Sequence, residues 1–133
     1  MKSQEDYKQE ALKRAAQGPD AVKGLPDYAR EELRKAIEED GLSADQAREM
    51  MNTILLGIEE GLREAGMEAK LILIETIDAF IFVFGDIFEQ TWDALKSYAR
   101  SLRDLAGKAT SSGAHFRQEL ERWIKEHEKD GKA

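Results

Sequence analysis

Residues 71–88, LILIETIDAFIFVFGDIF, decide what kind of protein this is. Leu73, Ile74, Ile77, Phe80, Ile81, Phe84, Ile87 and Phe88 recur at helical spacing on one broad face, which Leu71, Ile72, Phe82 and Val83 widen beyond a coiled-coil seam. So many β-branched and aromatic side chains would also suit a strand. Strict alternation is missing, however, and Glu75, Asp78, Asp86 and Glu89 fall together on one helical face. The segment is read as helix. A helix this apolar has to be buried against something.

A bilayer is not that something. Glu75, Asp78 and Asp86 lie inside the segment, and each charge near a bilayer centre costs about 2.5–3.5 kcal/mol. No transmembrane span is expected. A helix lying on an anionic membrane would carry Lys and Arg on its polar face, whereas this face is acidic. A neutral hydrophobic surface remains compatible with it.

The helical pattern extends in both directions. Upstream, Ser43 and Gln46 form a capping-box signal, and Met50, Met51, Ile54, Leu55, Ile58 and Leu62 follow at helical spacing. Downstream come Leu95, Tyr98, Leu102 and Leu105, with no proline after Pro26 to interrupt. One unbroken helix from Ser43 to Gly107 would be roughly 100 Å long, against a radius of gyration of about 14 Å for a compact domain of this length. A break is expected near Gly66, within an elongated helical bundle that has one long central apolar helix and shorter flanking helices.

The N-terminal part, residues 1–41, reads as a helical hairpin. Ser3 caps its first helix, which Gly18-Pro19 ends, and Leu25-Pro26-Asp27 starts the second, stopped by Gly41. Residues 42–133 form the long helical region. Within it, Thr110-Ser111-Ser112-Gly113 precedes a last amphipathic helix bearing Phe116, Leu120, Trp123, Ile124 and His127. The two parts make one domain, since 133 residues suffice for a single core.

Composition narrows the function. Cysteine is absent, which excludes disulfides, thiolate metal sites and cysteine nucleophiles, and suits the cytoplasm. The N-terminus opens on Lys2-Ser3-Gln4-Glu5-Asp6 with no apolar signal stretch. A net charge of −7 argues against nucleic acid as a partner. The four acids at Glu75, Asp78, Asp86 and Glu89 lack the Glu-x-x-His pairs of helical di-iron sites, because Ser112 and Ile124 stand three residues before His115 and His127. No metal, cofactor or catalytic residue is expected, and the two histidines read as structural.

Two further patterns bear on packing. Gly57, Gly61, Ala65 and Ala69 recur every fourth residue, a row that would let another helix approach closely. Read otherwise, the two glycines only weaken the helix, by about 1 kcal/mol each. Charge also changes sign, from acids through Asp93 to Lys96, Arg100, Arg103 and Lys108. The helix dipole alone would favour this. It would equally favour antiparallel pairing with a second copy.

The charged, alanine-bearing amphipathic helices from Glu31 to Glu128, above all Asp93 to Trp123, resemble phasins and apolipoprotein-like helical proteins. That resemblance implies a coat or scaffold on a lipid or polymer granule, and a tendency to oligomerise. It transfers no residue role, and the Ile/Phe cluster departs from it. The leading expectation is a non-enzymatic interaction protein, a homo-oligomer held through Ile77, Phe80, Ile81, Phe84, Ile87, Phe88, Trp92 and Leu95. The alternative is a granule coat exposing the same face.

Overall fold

The computed structural model describes residues 2–87, 92–108 and 118–126, and every regular element in them is helical. The order is α1 (Gln4–Gln17), α2 (Pro19–Lys23), α3 (Leu25–Asp40), α4 (Ala44–Glu64), α5 (Lys70–Ile87) and α6 (Asp93–Lys108), and residues 118–126 are helical as well. The all-α bundle is as expected. In place of one long central helix, the apolar pattern is divided among α4, α5 and α6.

Local chemistry sets these boundaries. Ser43 accepts from the Gln46 amide at 3.2 Å while Gln46 returns a carboxamide oxygen to the Ser43 amide at 2.9 Å, the reciprocal cap that starts α4. Ser3 and Asp6 start α1 in the same way, and the Ser3 contacts hold the Asp6 carboxyl below its usual range. At the far end of α4, Gly66 adopts φ +77°, a left-handed conformation that favours glycine. The Met67 amide then reaches back to the Leu62 carbonyl at 2.8 Å and the Gly66 amide to that of Arg63 at 3.0 Å. This is a Schellman termination. It puts the break at Gly66 and lets α5 turn back towards the core.

The helices of the N-terminal part, residues 1–41, make their main contacts with the rest of the chain. Here α1 lies along α4, and α3 lies along α5, whose other flank is taken by α6. The apolar stripe of α1 is thin, since it buries only Tyr7 and Ala11, whereas α3 buries Leu25, Pro26, Ala29, Leu33, Ala36 and Ile37. The buried side chains of every helix form one continuous cluster. An accessible surface of 7270 Å² is close to the approximately 7000 Å² of a compact monomer of 15.0 kDa.

Glycine makes the α1–α4 contact. A Cβ built on Gly57 would stand 2.6 Å from the Gln4 carbonyl oxygen and 2.6 Å from Tyr7 Cβ. One on Gly61 would stand 2.6 Å from both Ala11 Cβ and the Lys8 carbonyl oxygen. The row does not continue: Ala65 is an exposed cap, and Ala69 is buried in the connector beyond the break. Beside the contact, Lys8 bridges Glu64 at 2.9 Å and Glu60 at 3.5 Å. Tyr7 packs edge-on against Tyr28 of α3, ring centres 6.4 Å apart.

Gly57→Ala and Gly61→Ala should each destabilise the protein by about 1–3 kcal/mol through overpacking, despite a gain in helix propensity of about 1 kcal/mol. Gly85→Ala, whose Cβ would meet nothing within 4 Å, should stabilise instead, and urea unfolding of the three variants measures the difference. A second expectation concerns Tyr7. Its burial, aided by the nearby Glu32 carboxylate, raises the phenol above its ordinary 10.0. The fold favours the neutral ring, so stability is full below pH 10.0 and declines as pH rises past the unfolded value. Tyr7→Phe should flatten that alkaline decline in melts recorded from neutral to high pH.

Candidate functional site

The site follows from how α5 is enclosed. Leu73, Ile77, Phe80, Val83 and Phe84 are buried between the neighbouring helices. Two ion pairs fix the edges of that enclosure. Arg103 of α6 meets Asp78 at 2.6 Å, and Arg34 of α3 meets Asp86 at 3.0 Å. Two of the four acids on that face, Asp78 and Asp86, are thus half-exposed clamps to the flanking helices.

Four of the eight expected interface residues are consequently internal. Ile77, Phe80, Phe84 and Leu95 are covered by the chain itself. Ile81 is partly buried, and Trp92 stacks on Phe84 with ring centres 6.4 Å apart at 14°. The Ile87 side chain and Phe88 lie outside the described residues, as do Glu89, His115, His127 and the Thr110–Gly113 break. The correction has a simple cause: three flanking helices bury that face within one chain, leaving it unavailable to a partner in this arrangement.

A different face of α5 is left uncovered. Leu71 is 64% exposed and Phe82 58%, the only large exposed apolar side chains among the described residues. At 100° per residue, the eleven positions between them bring both within about 20° on the helix surface. Glu75 and Asp78 lie between them, with the partly buried Ile74 and Ile81 alongside. In the sequence pattern Leu71 and Phe82 only widen the apolar face. Nothing in their spacing marked them as the outward members.

Next to Leu71 the ridge opens into a groove of about 530 Å³ between α2 and the start of α5. Pro19, Val22, Met67, Leu71, Ile72 and Ile74 form its walls, with Lys23 and Glu75 also lining it. It arises because the Schellman turn sets Met67 and the first turn of α5 apart from the five-residue helix α2. Its volume lies within the range that holds small ligands or a projecting side chain. Glu68 and Lys70 complete the lining, so an apolar floor carries a rim of two acids and two bases.

Buried polar groups elsewhere are structural. Thr76 donates to the Ile72 carbonyl at 2.7 Å, and Glu59 pairs with Arg63 at 3.3 Å. Tyr98 of α6 donates to Asn52 Oδ1 of α4 at 3.0 Å, while the buried Asn52 Nδ2 has no hydrogen-bond partner. Trp123 packs on the Tyr98 ring at 4.9 Å. Among the described residues, no group of three or more His, Asp or Glu could hold a metal ion, and no helix is long and apolar enough to cross a membrane.

The sequence matches no protein-family model, and no curated protein or solved structure shows significant similarity to it.

The two faces of α5 should respond differently to truncation. Phe84→Ala should cost about 3–5 kcal/mol, as for a fully buried phenylalanine. Phe82→Ala should change the stability of the dissociated chain by no more than about 0.5 kcal/mol. Thermal melts of the two variants at low protein concentration make the comparison.

Proposed function

We propose that this chain is a non-enzymatic helical interaction protein that associates with itself through the uncovered ridge of α5. One observation carries the reading. The most apolar helix of the protein is enclosed on three sides yet leaves Leu71 and Phe82 in water on a single stripe beside an aliphatic groove. The two exposed side chains lie on one stripe, one of them at the rim of an apolar groove, and such an alignment suits a partner's side chains. The clamps at Asp78 and Asp86 support it, because they neutralise the acids that would otherwise repel a partner from the ridge. The mainly apolar floor of the groove suits the binding of an apolar side chain.

A second reading, a coat on a lipid or polymer granule, rests on the seam between α6 and α4. That seam contains Tyr98 and Asn52, and a buried amide donor without a partner costs about 1–3 kcal/mol. Release of α6 would expose Phe80 and Phe84 to a neutral hydrophobic surface.

Light scattering on a sizing column across a wide dilution series separates the two. The self-association reading expects a discrete oligomer whose mass survives dilution. A chain that stays monomeric at every concentration, and is depleted from solution by neutral lipid emulsions with a gain in helicity, would replace it with the coat reading.

A further inference from the structure

The ridge and groove of α5 have a geometry that bears on how two copies would meet. Leu71 and Phe82 share one stripe and stand three helical turns apart, about 16.5 Å along the axis. The groove lies at the Leu71 end, and a protruding aromatic side chain lies at the other. A knob and a hole on one straight helix are self-complementary about a perpendicular two-fold axis. Resting on the self-association proposed above, we infer that α5 pairs antiparallel with α5 of a second copy, each Phe82 filling the other copy's groove between Leu71 and Val22.

Charge agrees with this register. Residues whose numbers sum to about 153 face one another across such an axis, so Glu75 of one copy meets Asp78 of the other. That position would be repulsive with bare carboxylates. Here Arg103 already stands 2.6 Å from Asp78, with its side chain about half exposed, and it is placed to serve both acids. Farther out, Asp86 of one copy arrives near Met67 of the other, where Lys23 and Lys70 line the groove together with Glu68. A parallel pairing would set Phe82 on Phe82 and leave both grooves empty. It would also stack Glu75 on Glu75 and Asp78 on Asp78.

The absence of cysteine from the chain allows a clean test. Leu71→Cys and Phe82→Cys proteins are prepared separately, mixed, allowed to exchange and oxidised. Antiparallel pairing predicts that the disulfide between position 71 of one chain and position 82 of the other is the dominant covalent product. Neither variant alone should cross-link efficiently, because like positions lie about 16.5 Å apart. Phe82→Glu supplies an independent readout: helical circular dichroism should be unchanged while the mass falls from two protomers of 15.0 kDa to one. Efficient 71–71 or 82–82 cross-linking, or a Phe82→Glu protein that remains dimeric, would overturn this arrangement while leaving self-association standing. A wild-type chain that is monomeric at all concentrations would remove both.

Discussion

Everything in this structure follows from the need to enclose α5. Its sequence offers no continuous polar side, so a single neighbour cannot shield it. Two helices, α3 and α6, flank it, and α4 packs against it as well. Phe80, Phe84, Ile77 and Leu73 supply the core between them. Burial of one such side chain stabilises by about 1.5–3 kcal/mol, so a handful of them outweighs the ion pairs at the surface. Half-exposed pairs such as Arg103–Asp78 and Arg34–Asp86 contribute only about 0–1 kcal/mol each. Their main effect is to hold the flanking helices in register and to limit the charge on the face left open.

The second constraint is the approach of α1 to α4. With no side chain at Gly57 or Gly61, the backbone of α1 comes within contact of the α4 surface. Tyr7 and Ala11 are then fully buried despite the meagre apolar stripe of α1. Dispersion contacts at that distance compensate for the helix propensity that two glycines forfeit. Where the row of small residues would have continued, Gly66 turns the chain instead. One residue type thus serves two purposes, close contact within the helix and left-handed geometry at its end.

These two constraints explain where a partner could bind. Once α3, α4 and α6 have taken their places, the only large apolar side chains left in water among the described residues are at either end of one stripe of α5. The groove beside Leu71 is a by-product of the turn that separates α4 from α5. The polar Asn52–Tyr98 contact, by comparison, makes the α4–α6 seam less tightly held than the apolar core beneath it.

Much of the fold was legible from residues alone because its signals are local. Ser43 with Gln46, Gly41, Pro26 and Gly66 each act within four or five residues, and they start, stop or turn helices in any context that permits helix. The break at Gly66 is where the sequence puts it, but the apolar pattern beyond it is shared by two helices, α5 and α6, rather than carried by one long central helix, because periodicity shows that residues are helical without showing how neighbouring helices fold back. The site was less legible still. In α5 nearly every position between Leu71 and Phe84 is apolar apart from a few acids, so spacing could not separate the inward Phe80 and Phe84 from the outward Phe82. The sequence by itself determined the helices, their caps and the fact that an apolar helix must be buried. Only the tertiary structure decided which of its faces was covered, because that depends on how α3, α4 and α6 dock around it, and docking is set by packing between helices rather than by the local pattern of any one.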